Sequence, residues 1–317
     1  MNKPLSVAIV GAGPAGLSAA LWCKNLGMAP VVIEREARTG GMQNFNFLEN
    51  DWVLGLQDMS GVDIAQQFDR HVQAKEIEMF MKGNLRSITP QQGQFLLDVD
   101  GSELTTRAII VATGTRYVGS EIFSSTTGFA DIDAGIVVEG PYAFCDLEQC
   151  NSLHIGIVGG GDNAFENAMI LLGQGCRVSM ICRSQPRAQK KFSEPVLSHP
   201  KFTLYKEDVV KQCVVHTPGT CQLLLDSGEL LLIDRLHILA GYKANSECII
   251  EQCLDGLGKT LACDQQGFLK VDSRQRTNIA GIYAAGDIHN TVFPNVVSAI
   301  ASGALAAKTI SRDFSLA

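Results

Sequence analysis

The chain has 317 residues, of which 46% are hydrophobic and 19% are charged. This length is sufficient for two ordinary domains, and the composition is typical of globular rather than disordered proteins. The net charge of −7 argues against a nucleic-acid-binding surface, which needs clustered cations. We expect no membrane span, because no run reaches about 18 uninterrupted apolar residues.

The cysteine usage indicates a reducing compartment. The chain contains ten cysteines, and its N-terminal apolar stretch is interrupted by glycines, unlike the continuous core of a secretory signal. We therefore expect a cytoplasmic protein in which most cysteines are reduced and buried. The cysteines and the six scattered histidines lack the spacing of metal ligands, so no metal site is predicted.

The chain begins with the pattern of a dinucleotide-binding unit. Apolar residues predict a strand over 5–10, a helix over 15–26 and a second strand over 30–33. The turn Gly11-x-Gly13-x-x-Gly16 joins the first strand to the helix. Its glycines permit a tight turn, close approach of a pyrophosphate and close packing of the helix on the strand. Glu34, at the end of the second strand, is placed to accept a hydrogen bond from an adenosine ribose.

The same pattern starts again in the middle of the chain. A buried strand over 109–114 ends the first section, and a second strand-turn-helix-strand pattern follows. Its predicted strands are 154–158 and 177–181, and its predicted helix is 163–172. Further strands are predicted over 236–240 and 281–287, and a closely packed helix over 296–309; hairpin turns are predicted at 91–94 and 217–220.

Further motifs favour FAD over NAD at the first turn. Gly41-Met42-Gln43 follows the second strand, Ala112-Thr113-Gly114 ends another strand, and Gly286-Asp287 offers a carboxylate to a ribitol hydroxyl. On these motifs the chain resembles the low-molecular-weight thioredoxin reductase-like flavoproteins over nearly its whole length. The resemblance implies an α/β fold of two Rossmann-like domains, the second inserted into the first. The FAD domain would comprise 1–116 and 244–317, and the NAD(P)-binding-like domain 117–243.

The resemblance also implies a homodimer and a set of FAD-site residues. These are Gly11, Gly13, Pro14, Ala15, Gly16, Glu34, Arg35, Gly41, Met42, Gln43, Ala112, Thr113, Gly114, Gly286, Asp287, Asn295 and Val296.

A pair of cysteines precedes the second glycine turn. In the family's thioredoxin reductases a Cys-x-x-Cys-Asp motif lies there, and Cys145-Asp146 matches its flavin-proximal cysteine and acid. Tyr142 occupies the place of the other cysteine. Cys150 is a candidate replacement, provided that the segment is not a regular helix. Five residues along a regular helix would place the side chains of Cys145 and Cys150 on different faces, too far apart for a disulfide. The same spacing in Cys248 and Cys253 is interpreted as structural.

The second glycine turn keeps only some of the residues with which the family binds NADPH. Its predicted contacts are Gly159, Gly161, Asp162, Asn163, Ala164 and Arg183. The family's NADPH readers carry further arginines after the next strand, whereas here only Arg183 matches and Arg187 lies one place early. Three interpretations stay open: NADPH with an altered grip, another dinucleotide such as a second FAD, or a vestigial site.

Two enzymatic hypotheses and one non-enzymatic hypothesis follow. The first is an FAD-dependent disulfide oxidoreductase, in which Cys145 faces the flavin, Cys150 exchanges and Asp146 donates a proton, with a thioredoxin-like protein or a small disulfide as acceptor. The second is a ferredoxin or flavodoxin reductase-like flavoprotein with no redox disulfide, in which ferredoxin exchanges electrons with the flavin. The third is a flavin-binding protein without enzymatic activity.

Overall fold

The computed structural model describes residues 4–141, 149–217, 219–289 and 291–315. The chain divides into two compact units. Unit 1 comprises the residues up to Arg116 and those from Lys243 onward, and unit 2 comprises Tyr117–Tyr242. Unit 2 is therefore inserted into the sequence of unit 1, as predicted for the fold class.

The strands and helices are numbered in chain order. The strands are β1 (Ser6–Val10), β2 (Ala29–Glu34), β3 (Glu78–Met81), β4 (Leu85–Gln91), β5 (Gln94–Val99), β6 (Ser102–Thr106), β7 (Ala108–Val111), β8 (Thr115–Tyr117), β9 (Val137–Glu139), β10 (His154–Val158), β11 (Arg177–Cys182), β12 (Phe202–Lys206), β13 (Val210–Thr217), β14 (Thr220–Leu225), β15 (Leu230–Ile233), β16 (Arg235–Ile238), β17 (Tyr242–Ala244) and β18 (Ile282–Ala284). The α-helices are α1 (Pro14–Asn25), α2 (Gly61–Gln73), α3 (Asp162–Gly173), α4 (Lys190–Leu197), α5 (Glu247–Leu257) and α6 (Val296–Ser315), and short 3-10 helices span Gly41–Phe45, Ser120–Phe123 and Phe129–Asp131.

A five-stranded parallel sheet organises unit 1, in the order β18-β7-β1-β2-β3. Both of its faces are covered, which explains the continuous apolar runs of its strands. Val7 and Ile9 of β1 face a core shared with α1 and α6. Ala8 faces a second core, which includes residues from β4, β5 and α5. The strands β4, β5 and β6 form a separate antiparallel sheet in the same unit.

Two helices of unit 1 approach each other closely. A Cβ on Gly303 of α6 would lie 2.1 Å from the carbonyl oxygen of Ala15 in α1, so the contact requires glycine. Ser18 of α1 donates its hydroxyl hydrogen to the carbonyl oxygen of Ile300 at 2.7 Å. The helix α6 ends at Ser315, beyond the predicted 309, because Ile310 is buried and Asp313 accepts hydrogen bonds from Tyr283 and Arg276.

Unit 2 repeats the parallel design. Its main sheet has the order β12-β11-β10-β16-β9, with every neighbouring pair parallel. Residues of β10, β11, α3 and α4 form a core on one face. A second core includes residues of β16 and of the antiparallel sheet β13-β14-β15. The predicted α/β fold with two Rossmann-like units is confirmed.

The described residues contain neither a long apolar helix nor a cluster of metal-ligating side chains. No helix among them combines the length and apolar character that a membrane span requires. Within the same ranges, no group of three or more His, Cys, Asp or Glu side chains is arranged to hold a metal ion.

Candidate functional site

The first glycine turn lies between β1 and α1 in unit 1. Gly11 has a φ of +107°, and a Cβ there would lie 2.4 Å from the carbonyl oxygen of Ala112, at the end of β7. A Cβ on Gly16 would lie 1.9 Å from the carbonyl oxygen of Gly11. Apart from the residues on either side of Gly13 in the chain, no atom of the described residues would lie within 4 Å of a Cβ on Gly13. The turn therefore excludes side chains on its inner side and leaves the position of its middle glycine open, as a pyrophosphate cradle requires.

Glu34 fixes the shape of this turn. It is 8% exposed, and its Oε2 accepts a hydrogen bond from the backbone N–H of Ala12 at 2.6 Å. Its Oε1 accepts from the backbone N–H of Glu36 at 2.8 Å. A carboxylate oxygen has more than one acceptor position, so Glu34 retains capacity for ribose hydroxyls. The neighbouring Arg35 is instead exposed and pairs with Glu36 on the surface.

The ends of the other parallel strands meet the same edge of the sheet. Ala112, Thr113 and Gly114 follow β7, and Thr113 donates its hydroxyl hydrogen to the carbonyl oxygen of Asn245 at 2.8 Å. The 3-10 helix Gly41–Phe45 follows β2, with Met42 half-buried. Gly286-Asp287 follows β18, where the N–H of Gly286 donates to the Ser302 hydroxyl at 2.8 Å.

Asp287 lacks the partner that its carboxylate needs. Its Oδ1 is buried without a hydrogen-bond partner in the described part of the chain, and burial raises the pKa of the carboxyl group to about 6. Unpaired buried polar atoms are costly, and a hydroxyl-rich ligand can supply the missing hydrogen bond to Asp287. Gln43 shows the same feature, since its Oε1 is buried and unpaired.

Two further residues at this edge were missed in the sequence. The Nε2 of His289 and the Oγ1 of Thr291, in the loop that follows Asp287, are also buried and have no hydrogen-bond partner within the described ranges. Neither residue belongs to a motif, so no local signal identified them. The edge thus combines an open anion cradle with several unpaired polar atoms, and these residues fit FAD.

Asn295 has a structural role in addition to its predicted one. Its Oδ1 accepts hydrogen bonds from the backbone N–H groups of Val297 and Ser298, at 2.8 and 3.0 Å. Its Nδ2 donates to the carbonyl oxygen of Phe293 at 2.7 Å. The side chain therefore caps the start of α6.

The second glycine turn lies between β10 and α3 in unit 2. Gly159 has a φ of +148°, and a Cβ there would lie 2.2 Å from the carbonyl oxygen of Leu239. Gly161 is open in the same way as Gly13. Ala164 is fully buried, and Asn163 accepts a hydrogen bond from Asn167 at 2.9 Å. The backbone of this turn therefore resembles that of the first.

The segment between β11 and α4 is hydrogen-bonded to this second turn. The N–H of Arg187 donates to the carbonyl oxygen of Gly160 at 2.8 Å. The carboxylate of Asp162 accepts from the backbone and side-chain nitrogens of Gln189, both at 2.7 Å. The thiol of Cys182 donates to the carbonyl oxygen of Gly159 at 3.0 Å, at the strand end where NAD-binding units carry an acid.

The charge near this turn is mixed. Arg183 and Arg187, on the segment between β11 and α4, are exposed. Glu166, on α3, is half-buried, and its pKa is raised to about 7 by burial and by the nearby carboxylate of Asp162. With a pKa of about 7, Glu166 is only partly ionised near neutral pH, which reduces the negative charge that a phosphate would meet.

The described residues include only one of the three predicted catalytic residues. Cys145 and Asp146 lie outside them, as does Tyr142. Cys150 is 2% exposed and belongs to the core between the sheet and α3. Its carbonyl oxygen accepts a hydrogen bond from the thiol of Cys176 at 2.9 Å. A substrate disulfide therefore cannot reach Cys150 in this conformation.

The model of the pyridine nucleotide-disulphide oxidoreductase family matches residues 5–303. The chain is 26% identical over 330 residues to the thioredoxin reductase of Coxiella burnetii, covering 98% of each protein. It is 28% identical over 318 residues to that of Treponema pallidum, covering 97% of this chain and 96% of the relative.

Solved structures show the same fold. The thioredoxin reductase of T. acidophilum matches with a TM-score of 0.84 and 22% identity over the whole of both chains. That of Lactococcus lactis in its FR conformation matches with a TM-score of 0.83 and 23% identity, covering 98% of this chain and 99% of that one. A bacillithiol disulfide reductase from Bacillus cereus matches with a TM-score of 0.75 and 19% identity, covering 98% of this chain and 100% of that one.

The chain belongs to the pyridine nucleotide-disulphide oxidoreductase family. The predicted likeness to thioredoxin reductase-like flavoproteins is confirmed, and the chain is an FAD-dependent oxidoreductase of the disulfide-reducing class.

Proposed function

We propose that this family member transfers electrons from NADPH, through FAD, to a disulfide of a thioredoxin-like protein or a small molecule. The observation that carries the proposal is the edge of the unit 1 sheet, where the open turn at Gly13 and the unpaired atoms of Gln43 and Asp287 fit FAD. When bound, FAD supplies two-electron chemistry between a nicotinamide and a disulfide.

The second glycine turn supports NADPH as the donor. Gly161 leaves room for a pyrophosphate at the start of α3, where free N–H groups point outward. Arg183 and Arg187 are the exposed cations beside it. Cys182 at the strand end brings no carboxylate that would repel a 2'-phosphate. We therefore favour NADPH over a second FAD or an empty site.

Cys145 and Cys150 are the proposed redox pair, with Asp146 as proton donor. In the oxidised pair, two electrons and two protons convert the disulfide to two thiols, which then reduce the substrate disulfide by exchange. Because Cys150 is buried, the residues that cover its sulfur must move before thiol-disulfide exchange begins. Cys145 lies outside the described residues, so its assignment depends on the Cys145-Asp146 motif.

An anaerobic dithionite titration tests the redox pair. The wild-type protein is expected to take up about four electrons per bound flavin, two for the flavin and two for the disulfide. Cys145→Ser and Cys150→Ser are each expected to lower this to about two. Cys248→Ser is the matched control, because Cys248 has the same spacing to the buried Cys253 and is exposed. Uptake of only two electrons by the wild-type protein contradicts the redox pair.

The same titration vessel tests the electron donor. NADPH is expected to bleach the flavin absorbance faster than NADH does. Bleaching by reduced ferredoxin with no response to NADPH would contradict the donor proposal and favour the ferredoxin reductase-like alternative.

We also propose a homodimer that acts in the cytoplasm. The resemblance to the thioredoxin reductase-like flavoproteins supports the homodimer, and the cysteine usage of the sequence supports the compartment. Light scattering during size-exclusion chromatography is expected to give twice the mass of the chain, and a monomeric mass contradicts the dimer.

A further inference from the structure

Every second residue from 287 to 291, in one loop of unit 1, carries an unpaired polar atom. These atoms are Oδ1 of Asp287, Nε2 of His289 and Oγ1 of Thr291, and each is buried without a hydrogen-bond partner among the residues that the structure describes. His289 is only 9% exposed. Each unpaired buried atom costs about 1–3 kcal/mol. Three in succession indicate a surface that binds a polar ligand.

The position of this loop identifies the ligand. The loop follows β18, and Gln43, with its own unpaired Oε1, follows β2. Both strands belong to the same parallel sheet, so their carboxyl ends lie at one edge. This is the edge that also carries the open glycine turn after β1 and that fits FAD.

The sheet order separates the two ends of the cofactor. Glu34 ends β2, where the adenosine ribose is expected. From β2 the order runs through β1 and β7 to β18, which is three strand spacings or about 14 Å. The loop at His289 therefore lies on the side of the sheet away from the adenosine end, where the ribityl chain and the flavin ring belong.

We propose that His289 is an FAD-binding residue, whose imidazole Nε2 forms a hydrogen bond with the ribityl-isoalloxazine half of the cofactor. The proposal rests on the assignment of FAD to this edge. Burial lowers the pKa of the imidazole, so His289 is neutral at pH 7 and can donate from Nε2 or accept there, according to its tautomer. Asp287 binds beside it through its carboxylate.

Binding measurements on the full-length chain after reversible removal of flavin test this proposal. His289→Leu removes the hydrogen bond, whereas His289→Gln keeps an amide near the position of Nε2. FAD and ADP are titrated separately, because ADP contains only the adenosine end. His237→Leu is the matched control, since His237 is a fully buried histidine of unit 2 with both ring nitrogens unpaired.

We expect His289→Leu to raise the Kd for FAD about tenfold, the effect of one lost hydrogen bond to a buried partner. The Kd for ADP should stay within about twofold, and His289→Gln should recover most of the FAD affinity. The visible absorbance bands of the bound flavin should shift in His289→Leu and not in the control. If His289→Leu does not fold, His289→Asn, whose amide is too short to reach the position of Nε2, is expected to show the same loss.

Two results would overturn the proposal. One is an unchanged Kd for FAD in the variant that lacks the imidazole, and the other is an equal loss of affinity for FAD and ADP, which indicates a general structural role. Failure of the proposed function is distinguishable, because it appears in the wild-type protein as absent FAD binding or an uptake of two electrons. If the wild-type protein binds FAD and takes up four electrons, and His289→Leu has an unchanged Kd for FAD, only the inference about His289 is overturned.

Discussion

The two glycine turns have nearly the same backbone and different surroundings. In each turn the first glycine has a positive φ, and a Cβ added there would clash with the carbonyl oxygen at a neighbouring strand end, that of Ala112 for Gly11 and that of Leu239 for Gly159. At the edge of unit 1 that carries the first turn, buried side-chain atoms of other loops lack partners. The second turn is bonded to the segment from Cys182 to Gln189. The turn alone therefore identifies a phosphate cradle, and its surroundings decide how strongly a nucleotide is held.

Replacing the first glycine of each turn should separate the two sites most clearly. Gly11→Ala forces a Cβ to within 2.4 Å of a carbonyl oxygen at a positive φ, so we expect the loss of bound FAD. Gly159→Ala has the same clash at 2.2 Å and should abolish reduction by NADPH. Flavin content after purification and NADPH-dependent bleaching measure the two effects. Retained FAD in Gly11→Ala would contradict the assignment, whereas Gly159→Ala should keep its flavin.

The unpaired carboxyl group of Asp287 predicts a smaller, pH-dependent effect. Its folded pKa of about 6 lies above its usual value near 3.8, so the folded flavin-free protein binds more protons than the unfolded chain between these values. Stability therefore rises as the pH falls from 6 to 4, by up to about 2–3 kcal/mol for this group. Asp287→Asn should stabilise the flavin-free protein at pH 7, remove this group's share of the pH dependence and weaken FAD binding.

Urea unfolding at pH 5 and pH 7 measures this difference. Asp272 serves as a control, because hydrogen bonds from Arg276 and Arg274 lower the pKa of its exposed carboxyl group. Asp272→Asn should therefore still show the rise in stability from pH 7 to pH 5 that Asp287 is expected to cause. Identical pH dependence in the wild-type protein and Asp287→Asn would show that Asp287 is not the group responsible.

The smallest expected effect concerns the cations beside the second turn. Arg187→Ala removes an exposed charge whose backbone is fixed to Gly160, so the KM for NADPH should rise about fivefold, with a smaller change for NADH. Arg177→Ala is the control, because Arg177 is exposed at the opposite end of β11. Steady-state kinetics at two salt concentrations measure both variants. An equal rise for NADPH and NADH would indicate that Arg187 does not read the 2'-phosphate.

Much of the fold could be predicted from the sequence because its signals are local. The strands at β1, β2, β10 and β11 and the helices α1 and α3 were predicted to within one or two residues of their ends. Continuous apolar runs and glycine turns mark such units directly. The hairpin turn at 91–94 is confirmed as the connection between β4 and β5. The strands β13 and β14, on either side of the second predicted turn, pair antiparallel with Thr217 opposite Thr220. No strand was predicted at the positions of seven strands, because alternation in short strands is a weak signal; these are β3, β6, β8, β9, β12, β15 and β17. The helices α2, α4 and α5 were not predicted either.

The sequence by itself determined the two dinucleotide-binding units and the FAD-type first site, because glycine spacing constrains the backbone locally. Only the tertiary structure decided what surrounds these turns, through contacts between distant residues. It placed Cys150 in a core beside Cys176, bonded Asp162 to Gln189, and left His289 buried without a partner. Burial and pairing depend on which surfaces meet after folding, and no motif records that.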